Sequence, residues 1–530
     1  MRRTAMLLVI LSVACAQPDP LVVRTQSGML QGMTAADGSD VRVFLGVPYA
    51  RPPVGPDRWR PPSEPAGWEG VRVADHYGAA CWQVRGRTAS VYTKGIEAPS
   101  EDCLYLNVWT PPAGEEPSPV MVWFHGGGNT AGEGGSAVFD GTHLAQKGVT
   151  LVTVNYRLGV FGFLAHPSLT AESPHASSGN YGLLDQIAAL EWVHANIAEL
   201  GGDPSRVTIF GQSAGSTDTC SLMASPLAHG LFHRAIGQSG SCLRNGMPLQ
   251  ASGDAPSAHA NGVRLAAALG VEGEDAGAAE RLRAIDAEAL HDTRTGVGVG
   301  PIVDGWVIPR PPADLYASGD FNRVPLMTGW MADETKGLQP GLADVTTAEY
   351  EPRVRRQYGP QADRVLAAYA PVARESVTEA LFNMTTDAGM GAGARNWVRA
   401  VAAAGEPTFL YYFSYAPPVF RLYITDDPQL DSPNGPRGMG AYHSGDLAYV
   451  FDNVGYVDVG WDDYDRHLAD VISSYWVSFA KTGDPNVDGL PTWPRYDAAK
   501  DELMRFGSTI SAVPNPRADK LDLFDSLDGG

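Results

Sequence analysis

The chain has 530 residues, enough for one very large core or for two to four ordinary domains of roughly 100–200 residues each. With 44% hydrophobic and 19% charged residues it has the composition of a folded globular protein, not of a disordered or fibrous one. A formal net charge of −21 argues against a nucleic-acid partner, since neutralising a phosphate backbone takes a basic footprint, and marks a diffuse acidic surface that serves solubility.

At the N-terminus Arg2 and Arg3 precede an apolar run from Met6 to Val13, the layout of a secretory signal peptide and too short to span a bilayer. Two processing routes compete. Ala14-Cys15-Ala16 is an A-x-A cleavage site that would leave Gln17 first, whereas Leu11 to Cys15 resembles a bacterial lipobox that would lipidate Cys15. Either route makes the protein secreted or periplasmic, with membrane attachment only through a lipid on Cys15. Beyond Cys15 remain Cys81, Cys103, Cys220 and Cys242, an even set suited to an oxidising compartment. These four allow three pairings; 81 with 103 and 220 with 242 would close short loops on separate parts of the chain. No C-x-x-C or clustered histidine supports a metal site instead.

From residue 17 to 530 no repeat, low-complexity tract or linker divides the chain, so one domain with insertions is the simplest account. The strand-like "PVMVWF" runs into a glycine stretch, "GVTLVTVNY" follows, and then the amphipathic "LLDQIAALEWVHANI". Next come "RVTIF", a small-residue helix from Ala214, and "LFHRAIGQS". Strand and helix in alternation predict an α/β fold with a mostly parallel sheet covered by helices. Alanine-rich helical patterns near 258–292 and 347–404 read as insertions, with "VPLMTGW" between them and "TFLYYFSY" after them as further strands. Insertions so placed roof the C-terminal edge of an open sheet, where ligands bind.

The chemistry centres on Gly211-Gln212-Ser213-Ala214-Gly215, a G-x-S-x-G turn from strand to helix that holds a serine hydroxyl above the sheet. A serine hydroxyl is a poor nucleophile, and acyl transfer needs donors for an oxyanion; His125-Gly126-Gly127-Gly128 after "VMVWF" lies where backbone amides would complement that of Ala214. An acid and a histidine must follow in that order. Asp333 and Glu334 stand just past a predicted strand, and His443 lies in a turn after the next one.

These stretches, with "FLGVPYARPPVGPDRWRPP", "SEDCLYLNVWTP", "NYRLGVFGFL" and "YWVSFAKTGDPN", resemble the type B carboxylesterases, the α/β-hydrolase family that includes cholinesterases and microbial para-nitrobenzyl esterases. The resemblance spans nearly the whole chain after the signal. It implies Ser213 as nucleophile, His443 as general base, Glu334 as the acid that holds the imidazole, and Gly127, Gly128 and Ala214 as oxyanion donors. It further implies Ser239 as a buried support of the histidine, a Cys81–Cys103 disulfide, and Arg58 with Glu101 as a structural ion pair.

Departures from the family pattern are equally specific. Gln212 replaces the usual Glu before the nucleophile and removes a negative charge from the site, weakening support for a protonated His443. His443-Ser444-Gly445-Asp446 carries a shorter carboxylate where the family has Glu, Asn129 stands in place of an aromatic, and Leu200 replaces Phe. Cholinesterases hold a quaternary ammonium with a tryptophan in the second half of the first disulfide loop; here Trp82 adjoins Cys81 and the nearest aromatic to the expected place is Tyr92, so a dedicated cholinesterase is not expected. Trp330, Trp397, Met331 and Met390 are candidates either for a substrate pocket or for plain core. The expected activity is hydrolysis of a small-molecule ester through an acyl-enzyme, without metal or organic cofactor. A lipase acting on long chains, or a binding module of the same fold, are the alternatives.

Overall fold

The structure is a computed structural model that describes residues 19–83, 98–112, 114, 116–251, 255–293, 300–371, 376–418, 437–456 and 460–528. The proposed signal with Cys15, and Tyr92, lie outside the described residues.

Alternation decides the layering. In the strand Ser118–Phe124, the side chains of Val120, Val122 and Phe124 enter one core cluster, while Met121 and Trp123 enter another on the opposite face. A strand apolar on both faces must be covered on both, as in a parallel sheet sandwiched by helices. The strands of this sheet are β1 (Met33–Thr34), β2 (Arg42–Pro48), β3 (Tyr105–Thr110), β4 (Ser118–Phe124), β5 (Thr150–Val154) and β6 (Gly202–Gln212). They continue with β7 (Arg234–Gln238), β8 (Leu326–Met331), β9 (Thr408–Phe413), β10 (Glu502–Phe506) and β11 (Ile510–Pro514). The eleven strands lie in the order β11-β10-β9-β8-β7-β6-β4-β5-β3-β2-β1. From β10 to β5 every neighbour is parallel, and the outer strands pair antiparallel.

Register aligns the strand ends that matter. Phe124 pairs with Gly211, Gln212 with Gln238, and Gln238 with Gly329, so β4, β6, β7 and β8 all deliver their following loops to one edge. One face packs under α1 (Tyr181–Asn196) and α2 (Ala214–Ala224), whose Leu190, Val193 and Leu222 join the cluster of Val122 and Ile209. Opposite, Leu468, Ile472 and Trp476 of α4 (Asp463–Thr482) cover Trp123 and Phe210. The predicted insertions resolve into short helices: Ala258–Ala268, Ala276–Arg283 and Ala287–Asp292 in the first; Thr347–Tyr358, Ala362–Ala368, Val377–Thr386 and α3 (Ala392–Ala403) in the second.

Cys81 bonds to Cys103 and Cys220 to Cys242. Arg58 grips Glu101 through both its Nε and a terminal nitrogen at 2.6 Å, and its other amino group donates to the carbonyl of Ile285, tying the first disulfide region to the helical insertion. Among the described residues no helix is long and apolar enough to cross a membrane. Replacing both Cys220 and Cys242 by Ser frees a 22-residue separation and should cost about 3 kcal/mol on the chain-entropy account. A lowered thermal midpoint in non-reducing buffer is the expected outcome; an unchanged one would contradict it.

Candidate active site

Ser213 stands between β6 and α2 at φ 58° and ψ −120°, a conformation that costs a non-glycine residue about 1–3 kcal/mol. Its surroundings hold it there. The Ser213 N–H donates to Gln238 O at 2.8 Å, and Ser213 O accepts from Thr217 N at 3.0 Å as α2 begins. The flanking glycines have no room for a side chain: a Cβ on Gly215 would lie 1.9 Å from Phe124 O, and one on Gly211 would lie 2.4 Å from the Gly215 backbone. The hydroxyl reaches a cavity of about 710 Å³ that Gly128, Ala214, Ser239 and Met390 also line.

Beside this turn Gly128 and Ala214 line the same cavity as Ser213. Gly127 and Gly128 run at φ 105° and 66°, and a Cβ on Gly127 would meet Ala131 O at 2.1 Å. Thr130 and Ala131 both donate to Gly127 O, closing the loop. Among the described residues none accepts a hydrogen bond from the N–H of Gly127, Gly128 or Ala214, which leaves these donors free. His125, stacked on Tyr156, is fully buried, and burial lowers its pKa to about 4, so it stands neutral as part of the wall.

On the other side of Ser213, His443 Nδ1 lies 2.5 Å from Glu334 Oε2, with both side chains buried. The other Glu334 oxygen accepts from Met331 N at 2.7 Å. Of the two adjacent carboxylates it is therefore Glu334 that meets the histidine. Asp333 does other work. Its N–H donates to Ala441 O, its side chain accepts from Ala441 N at 2.8 Å, and a backbone bridge from Asp333 to Tyr442 sets the two loops in register. Gln212 Nε2 lies 3.1 Å from His443 Nε2, so the family's carboxylate position is filled by a neutral amide in contact with the imidazole.

Other predicted residues sort as follows. Ser239, at φ 55°, is buried, and its hydroxyl has no hydrogen-bond partner among the described residues, so no bond from it to His443 is seen. Asp446 accepts from Gln238 Nε2 at 2.9 Å rather than from the histidine, and burial raises its pKa to about 6. Trp330, Trp397 and Met331 are fully buried core, and Leu200 packs beneath the sheet; of the four pocket candidates only Met390 faces the cavity. Trp82 packs near Phe161 and Arg58, away from Ser213. No group of three or more His, Cys, Asp or Glu among the described residues could hold a metal ion.

Sequence reasoning missed Asp218. This carboxylate is wholly buried on α2, accepting from Asn129 Nδ2 at 3.1 Å and Gln186 Nε2 at 2.8 Å. Tyr156 OH donates to His125 O at 2.6 Å, and Gly159 N to Asn129 O at 2.6 Å, so the glycine loop is fastened at both ends. The departure Asn129 thus anchors the loop to the helix that follows Ser213. The available signal was an aspartate in an otherwise uncharged helix.

With no cation beside it among the described residues, Asp218 has its pKa raised to about 7 by burial. The folded protein keeps that proton up to about pH 7, whereas an unfolded chain releases it near 4, so this group costs stability progressively between those values. Asp218→Asn should therefore gain stability relative to wild type as pH rises from 5 to 8, measured by urea unfolding at both. A difference independent of pH would refute this reading.

Comparison with known proteins gives a consistent picture. The carboxylesterase family profile matches residues 19–524. The fumonisin B1 esterase of Sphingopyxis macrogoltabida is 37% identical over 511 residues, covering 94% of this chain and 89% of that protein. The para-nitrobenzyl esterase of Bacillus subtilis strain 168 is 34% identical over 526 residues, covering 94% and 97%. The crystal structure of the Geobacillus stearothermophilus carboxylesterase EST55 at pH 6.2 superposes with a TM-score of 0.81 at 33% identity, covering 95% of this chain and all of that one. The chain belongs to the carboxylesterase family and is a carboxylic ester hydrolase on the α/β-hydrolase fold.

Proposed function

We propose that Ser213, His443 and Glu334 form the catalytic triad of a serine esterase that works through an acyl-enzyme. The observation that carries this reading is the buried Glu334–His443 contact at 2.5 Å beside the strained serine turn. A carboxylate on Nδ1 fixes the tautomer that leaves Nε2 able to accept a proton. Ser213 Oγ attacks the ester carbonyl while His443 takes its proton, and the free N–H groups of Gly127, Gly128 and Ala214 receive the negative charge on the carbonyl oxygen. His443 returns the proton to the leaving alcohol, and water hydrolyses the acyl-enzyme with the same base.

A secreted or periplasmic location fits this reading. The N-terminal apolar run and the two disulfides support export, with Gln17 or a lipidated Cys15 as the first mature residue. The substrate is a small-molecule ester, and the family's use of para-nitrobenzyl and fumonisin esters by relatives supports a broad range of acyl and alcohol parts.

The test is kcat/KM on para-nitrophenyl esters from acetate to palmitate, with Ser213→Ala as control. A maximum at short chains that falls by about 10⁴-fold or more in the variant is expected. A maximum on palmitate would make the protein a lipase, and equal rates in both proteins would remove Ser213 from the mechanism. A second outcome concerns Gln212→Glu. The new carboxylate beside His443 favours the imidazolium, so the acid limb of kcat/KM should move to higher pH, and an unmoved limb would contradict the 3.1 Å contact as an electrostatic lever.

A further inference from the structure

The cavity at Ser213 is walled by apolar, hydroxyl and amide side chains and by glycine, and among the described residues a single charged one lines it: Arg244. Several arginines elsewhere find carboxylates, as Arg58, Arg157, Arg395 and Arg517 do. In a chain with 60 Asp and Glu against 39 Lys and Arg, partners are plentiful. Arg244 nevertheless makes no ion pair or side-chain hydrogen bond among the described residues.

Its backbone, by contrast, is fixed. The Cys220–Cys242 bond fastens the segment to the nucleophile's helix two residues earlier. Arg244 N donates to Cys242 O at 2.7 Å, and Arg244 O accepts from Ala313 N. Two residues later, Gly246 at φ 70° packs so that a Cβ would meet Val303 Cγ2 at 2.8 Å, and Met247–Pro248 then pairs with Ile302–Val303. An exposed guanidinium on a fixed backbone, lining a cavity that no carboxylate among the described residues lines, is a receptor for an anion. Its planar fork matches a carboxylate in particular.

We infer that the esterase, resting on the reading of Ser213 given above, acts on esters that carry a second, free carboxylate, which Arg244 binds across the cavity from the scissile bond. The protein as a whole repels anions through its net charge of −21, so the attraction must be local. Arg244 acts on substrate binding, and its effect therefore falls on KM.

The test compares monomethyl glutarate with the uncharged methyl ester of glutaramic acid, equal in size and differing in one charge. Wild type should favour the carboxylate in kcat/KM by roughly tenfold, the low end for a charge-assisted hydrogen bond at a solvent-accessible site, with the difference in KM. That preference should fall to near one in Arg244→Ala, survive partly in Arg244→Lys, and shrink as salt rises. An undiminished preference in Arg244→Ala, or a wild-type preference for the amide, would overturn the inference. Calorimetry separates this from the esterase reading. If Ser213→Ala hydrolyses both esters as wild type does, the triad assignment falls. Binding of monomethyl glutarate to the Ser213→Ala protein, with and without Arg244→Ala, still decides the role of the arginine. Weaker binding without Arg244 upholds it, and equal binding or none in both proteins overturns it.

Discussion

The site rests on a contact between two backbones. Gly215, at the start of α2, lies so close to the carbonyl of Phe124 at the end of β4 that a single added carbon would sit 1.9 Å from the oxygen. That approach brings the helix that follows Ser213 against the strand that delivers the glycine loop. The parallel pairing of Phe124 with Gly211 then places Ser213 and the Gly127–Gly128 amides at one level of the sheet edge. A strained serine at φ 58° is tolerated because the strand before it and the helix after it are both held by such packing. From the other side, the Asp333–Tyr442 bridge brings the loop of Glu334 against that of His443. The ends of β4, β6 and β8 thereby meet, and the bridge brings in His443 from well beyond the end of β9 at Phe413.

Burial does the electrical tuning. Around the turn lie a neutral histidine, His125, and two carboxylates, Asp218 and Asp446, that burial makes hold their protons to unusually high pH. Each is bonded to an amide: Asn129 and Gln186 for Asp218, Gln238 for Asp446. An amide can turn over to offer either oxygen or nitrogen, so it serves the carboxyl in both protonation states. Gln212 belongs to the same style of site, an amide against the imidazole of His443. In the proposed triad, electrostatic support of the imidazolium falls mainly to Glu334.

Much of this was legible in the sequence, and for local reasons. The G-x-S-x-G spacing announces a tight strand-to-helix turn, since a side chain on Gly211 would strike the backbone of Gly215, and apolar runs such as "PVMVWF" announce a strand buried on both faces; the contact of Gly215 with Phe124 O was not readable locally. Other features needed three dimensions. Asp333 and Glu334 are adjacent and equally acidic; the bridge to Tyr442 is what aims one at His443 and leaves the other to fasten the loops. Asn129 and Asp218 lie 89 residues apart, so neither the departure at 129 nor the lone acid in α2 disclosed its partner. Trp330 and Trp397 illustrate the opposite difficulty, since a large side chain suits a pocket wall and a core equally well, and both proved to be core. The helical stretch from 347 to 404 reads as one pattern but breaks into several helices, with a π-helical turn at Asp387–Gly391 that includes Gly389 and Gly391.

Whether the serine turn is chemically alive is the central question, and covalent labelling answers it most directly. Diethyl para-nitrophenyl phosphate should modify the purified protein once per chain, release one equivalent of nitrophenol, and leave the phosphoryl group on the peptide that holds Ser213. Absence of an adduct, or one placed on any other residue, would contradict the account of Ser213 as an activated nucleophile.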